Sequence, residues 1–131
     1  MANGKWQTPK SRVLKGIGRW ALVALWMAVI IAFSSRPGYT LPSYGVWDII
    51  VKKGAHVTEY AILGWLIQRA LGTGRAGWQA WLVAVAFAAT DELHQSLVPE
   101  RNARVTDVMI DAVGGAIGVV IGKGWTTTNW G

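Results

Sequence analysis

His56 and Glu59 stand three residues apart, Asp91 and His94 repeat that spacing, and Asp107 and Asp111 lie four apart. On a helix each of these pairs falls on one face. An imidazole beside a carboxylate can move protons in general acid–base catalysis. His56 or Glu59 is the candidate general base, Asp91 or Glu92 its acidic partner, and Asp107 a further carboxylate. Lys53 and Arg101 are candidate anion contacts or counter-ions. Tyr60 and Gln95 have the groups to orient neighbours by hydrogen bonds, and His94 and Asp111 complete the set.

A metal site is an alternative use of the same residues. His56, Glu59, Asp91 and His94 form two helical two-ligand pairs, a spacing that carboxylate bundle sites also use. Such short matches arise readily by chance, and ion-paired groups satisfy the same spacing. No cofactor follows from the sequence. Ser96 is not a convincing nucleophile, because its neighbour His94 points elsewhere on a helix and no nucleophile elbow surrounds it. Gly114-Gly115 lacks the Lys-Ser and strand context of a phosphate loop.

Four apolar runs must position these residues. The reading is an all-α, polytopic membrane protein, a bundle of four transmembrane helices over about residues 17–35, 48–71, 77–98 and 105–122, forming a single domain, 1–131. Ser34 to Tyr44 reads as an external loop rich in Ser, Pro and Gly, Gly72-Thr73-Gly74 as a short turn, and Pro99 as a helix stop. The first run also fits a signal peptide, with a basic start and the small-x-small triplet Ala32-Phe33-Ser34. Its length and Trp26 favour a retained helix.

Helical geometry then gathers the scattered groups. At ~100° per residue, Lys53, His56, Glu59, Tyr60 and Leu63 share an arc of roughly 120°, while Asp91, His94 and Gln95 share about 100° with Glu92 beside them. Gly114, Gly115, Gly118 and Gly122 fall close to the face of Asp107 and Asp111, so that face turns toward other helices. A charge at the bilayer centre costs at least ~2.5 kcal/mol, so such residues are paired, neutralised or wet, and they ordinarily mark a site. The bland alternative is a satisfied network that only fixes helix packing.

Composition agrees with a membrane. Apolar residues make up 52% of the chain, charged residues only 15%, and there are nine Trp, whose indoles favour the membrane interface. Trp20, Trp47, Trp78 and Trp125 read as interface anchors, Trp26 and Trp65 as deeper packing residues. With no Cys, disulfides and thiolate metal sites are excluded. The net charge of +6 is unevenly spread. Lys5, Lys10, Arg12, Lys15 and Arg19 precede the first run, Arg69 and Arg75 flank the second joint, and Lys123 ends the last. All seven acids fall on the opposite side of the proposed bundle. That pattern puts both termini in the cytoplasm. Nucleic acid is not an expected partner, since no basic face with interleaved aromatics occurs.

The stretch from Lys53 and His56 through Glu59, Tyr60 and Gly64 resembles the VanZ-like family of bacterial membrane proteins. So do Asp91-Glu92-Leu-His94-Gln95, Pro99-Glu100-Arg101, Asp107-Val-Met-Ile-Asp111-Ala-Val-Gly114 and Ser34-Ser35-Arg36-Pro37-Gly38. The likeness spans roughly residues 20–122, with Glu100 departing from the Gly often found there. It implies a four-helix protein of the bacterial cell envelope and membrane. The family takes its name from an accessory protein of glycopeptide (teicoplanin) resistance, and the name supplies no reaction.

Two functions compete. One is a membrane-embedded enzyme acting, through an outward-facing polar pocket, on a lipid or lipid-linked envelope precursor. The other is a non-catalytic binding, transport or structural subunit. Membrane lipid is the expected partner in either case. Four helices are few for alternating access, so the second reading calls for a homo-oligomer, for which Gly114, Gly118 and Gly122 offer a packing face.

Overall fold

A computed structural model of the chain describes residues 9–35, 45–72, 77–98 and 105–129. Those residues form four α-helices and no strand: α1 (Pro9–Ser34), α2 (Asp48–Leu71), α3 (Gly77–Gln95) and α4 (Val105–Asn129), with a 3-10 turn, Gly45–Trp47, leading into α2.

The helix ends differ from the hydropathy reading for local reasons. α1, described from Pro9, extends well before the expected 17, and its early turns are basic rather than apolar. It runs on through Ser34, as the helix expected over about 17–35 requires, so Ser34 is helical although it also opens the loop expected from Ser34 to Tyr44. α3 stops at Gln95, short of the expected 98. The chain tightens there, with Leu97 N–H donating to His94 O and Val98 N–H to Gln95 O at 3.0 Å each. Pro99 disfavours helical geometry at Val98. α4 continues beyond 122 to Asn129.

α2 is the central element. It packs most extensively on α4 and also contacts α1 and α3. The reason is the near-absence of side chains between α2 and α4. A Cβ placed on Gly114 would lie 2.6 Å from Val57 O, and one on Gly118 would run into the Ala61 carbonyl. Gly64 faces Gly115 in the same backbone-to-backbone manner, and Gly122 rests on Trp65 and Gln68. The two helices run parallel, as small residues at four-residue spacing permit. The glycine face of α4 thus packs on α2 within one chain.

Core side chains are few and mostly small. Ala80, Ala84 and Ala88 line α3, and Val23 and Ile30 seat α1 against Tyr60, Leu63 and Ile67 of α2. Tryptophan N–H groups tie helices together. Trp26 Nε1 donates to Glu59 O across α1 and α2, and Trp81 Nε1 to Ala112 O across α3 and α4, both at 2.9 Å.

Outward faces are apolar. Leu14, Ile17 and Leu25 on α1, Leu82 on α3, and Ile117 and Val120 on α4 are all exposed. A surface of that kind belongs against lipid or a partner. α1 and the stretch Val105–Gly124 are each long and apolar enough to cross a membrane.

Candidate functional site

In the first half of α2, Lys53, His56 and Tyr60 follow one another about a turn apart, and each meets a partner from another helix. The parallel run of α2 and α4 sets the upper two levels. Lys53 Nζ stands 3.3 Å from Asp107 Oδ1 at the rim, where Lys53 remains largely exposed. Asp107 lies in the first turn of α4, where a negative charge also complements the helix dipole.

One turn deeper, His56 Nδ1 is 3.1 Å from Asp111 Oδ1. The Asp111 side chain is only 1% exposed, against 24% for His56, so the acid is enclosed while part of the ring reaches the surface. With Asp111 ionised and the ring neutral, Nδ1 would carry the proton and Nε2 would present a lone pair. A carboxylate in that position can fix the orientation of an imidazole ring. The partner of His56 is Asp111, not Asp91 or Glu92.

The third level joins α1, α2 and α3. Tyr60 OH donates to Asp91 Oδ2 at 3.1 Å, and Ser34 Oγ donates to the same oxygen at 2.9 Å. Gln95 Nε2 in turn donates to Ser34 Oγ at 3.1 Å. Asp91 is the hub, 2% exposed, and its Oδ1 has no hydrogen-bond partner among the described residues. The Tyr60 ring rests against Phe87, centroids 6.2 Å apart.

Beside this hub, Ser35 Oγ donates to Ile31 O at 2.7 Å and lies 2.8 Å from His94 Nε2. The serine proton being used, the ring N–H is the donor to Ser35. Glu92 is buried on α3 and Glu59 half-buried on α2, and each interacts with other groups.

On α2 and α4 there are thus two separate pairs, Lys53 with Asp107 and His56 with Asp111, while Tyr60 reaches across to Asp91 on α3, the helix that also carries His94 and Gln95. Arg101 lies outside the described residues. The metal candidates do not assemble: His56 is engaged by Asp111 and His94 by Ser35, and among the described residues no three His, Asp or Glu side chains are grouped to hold an ion. Ser34 and Ser35 are site residues that hydropathy and turn signals missed. Two hydroxyls closing an apolar run one residue before Arg36-Pro37 were the available clue.

The hub makes a direct prediction. Tyr60→Phe leaves Asp91 with one donor fewer in a buried setting, and is expected to lower stability by about 1–3 kcal/mol. Thr58→Val, whose hydroxyl bonds within its own helix to Gly54 O at the surface, should stay within about 0.5 kcal/mol. Thermal melting of the two variants in detergent decides; equal midpoints would mean the Tyr60–Asp91 bond contributes nothing.

A family model described as VanZ/LLP1 matches residues 19–126 of the chain. No curated protein and no solved structure matches it.

Proposed function

The chain belongs to the VanZ/LLP1 family, and from that premise we propose that it is a four-span envelope membrane protein acting on the polar head of a lipid or lipid-linked precursor. Membership of the family and two apolar helices suggest a membrane protein. Four crossings with both termini in the cytoplasm are the finer reading. Helix length supports it, since even the shortest, α3, has 19 residues, or about 28 Å at 1.5 Å per residue. So does charge: Lys10, Arg12, Lys15, Arg19, Arg69 and Lys123 gather at one end of the bundle and the acids toward the other.

The observation that carries the functional reading is the His56–Asp111 pair, a half-buried ring backed by a buried carboxylate. In this reading the site opens to the extracytoplasmic side. Lys53 at the rim, with Arg101 by its sequence position, meets a phosphate or other anion of the head group. His56 Nε2 takes a proton from a water or hydroxyl as its oxygen bonds to the head-group centre, the bond from that centre to the departing group breaks, and the imidazolium, stabilised by Asp111, returns its proton to that group. Tyr60, Asp91, Ser34 and Gln95 hold α1 and α3 against α2. An effect on glycopeptide susceptibility is the cellular readout that the family name points to.

The test is chemical. The full chain reconstituted into bilayers made from a bacterial envelope lipid extract is expected to deplete one lipid or lipid-linked species and generate its product, followed by mass spectrometry. Lys53→Gln should raise the substrate concentration needed. An unchanged lipid profile with folded protein would remove the enzymatic reading. A second reading, a binding or structural subunit, is favoured by the enclosure of Asp91 among donors from α1 and α2, which suits a helix-fixing network.

A further inference from the structure

At the basic end of the bundle, remote from the ladder of polar side chains that runs from Lys53 to Asp91, a shallow open groove of ≈ 430 Å³ lies between α3 and α4. Gly77, Trp78 and Trp81 form one wall, Ala116, Val119 and Val120 the other, and Lys123 closes the end. The walls are apolar. Gly77 is the reason the groove reaches so near the helix junction. A Cβ there would stand 3.0 Å from Val119 Cγ1 and 3.1 Å from Lys123 Cδ, so the lysine stem lies along the glycine.

Charge selects the occupant. The described cations near this end are Lys10, Arg12, Lys15 and Arg19 on α1, Arg69 at the end of α2 and Lys123 on α4, whereas the described acids lie on the halves of α2, α3 and α4 nearer the other end. Trp78, 61% exposed beside the groove, has the amphipathic ring expected at the depth of lipid head groups. Ala116 to Lys123 spans about 10 Å of helix, room for the upper part of one acyl chain.

We propose that this groove binds a single anionic glycerophospholipid, one acyl chain lying between Trp78, Trp81 and Val119 and the phosphate held at Lys123. The site is separate from the polar ladder and rests on the membrane-spanning reading. Basic pockets between helices on the cytoplasmic side take anionic head groups by the same pairing of apolar walls and a terminal cation.

Native mass spectrometry of the full chain, released from bilayers holding equal phosphatidylglycerol and phosphatidylcholine, tests it. One phosphatidylglycerol is expected to be retained in preference. Lys123→Gln should cut that preference about fivefold, the worth of one cation near an anionic surface. Ala116→Phe, which fills the groove, should release both lipids. Equal retention of the two lipids, or retention insensitive to both variants, means annular lipid only and overturns the proposal. Melting of each variant shows whether it is folded, and if Ala116→Phe is not, the Lys123→Gln result alone decides. Alkaline extraction of membranes separates the two levels: a chain released into the aqueous fraction overturns the membrane-spanning reading together with the groove, while an embedded chain without lipid preference overturns the groove only.

Discussion

Gly118→Val should leave little folded protein. A Cβ at residue 118 would run into the Ala61 carbonyl, and its second and third nearest atoms, the Ala61 carbonyl carbon and Cα, are also backbone. A flexible side chain can rotate away from an intruding methyl group, but a helical carbonyl cannot move without shifting α2. Overpacking in a closed core costs typically 1–3 kcal/mol, and a collision with backbone at the most extensive contact of the molecule belongs at or beyond the top of that range. The expected loss is about 3 kcal/mol or more, seen as a collapse in the yield and melting temperature of detergent-solubilised protein. Gly54→Ala supplies the contrast. Nothing lies within 4 Å of its missing Cβ, so alanine should be neutral or stabilise α2 by up to about 1 kcal/mol. A Gly118→Val chain melting with the wild type would mean that α2 and α4 do not meet backbone to backbone.

The same contact shows what a one-dimensional reading resolves. Glycines at 114, 118 and 122 share a face with Asp107 and Asp111 because a helix repeats every 3.6 residues, so spacing alone turns the aspartates toward another helix. Spacing does not say which helix. That depends on the rotation of one helix about its axis relative to its neighbours, a tertiary quantity. Hence His56 meets Asp111 of α4, although Asp91 and Glu92 of α3 were equally eligible partners by residue type.

Ser34 illustrates a different limit. Turn-forming residues after it signal a loop, and the expected helix and the expected loop overlap at Ser34 and Ser35, because a helix end is uncertain by a residue or two from sequence. Those two residues decide whether the hydroxyl joins the Asp91 hub or faces solvent. The reach of α1 back to Pro9 escaped for a related reason: hydropathy locates apolar stretches, while Lys, Arg and Leu are good helix formers whether or not they are buried. The four helices and most of the polar ladder were legible; their pairing was not.

Asp111→Asn is expected to lower turnover as severely as His56→Ala, by about 10²–10⁴-fold. The acid touches no substrate in the proposed chemistry, yet an amide in its place can donate to Nδ1 and so move the ring proton to Nε2, removing the lone pair that acts as base. Residues that act as one unit are not additive, so the double variant should be no slower than either single one. Stability discriminates the alternative. Removing one member of a buried pair strands the other and is expected to cost about 3–5 kcal/mol, whereas replacing both by apolar residues of similar volume is close to neutral. His56→Leu combined with Asp111→Leu should therefore melt near the wild type and yet be inactive toward the lipid-linked substrate. Were that double variant to keep full activity, the pair would be a packing device, and proton transfer would have to start from another group of the polar ladder.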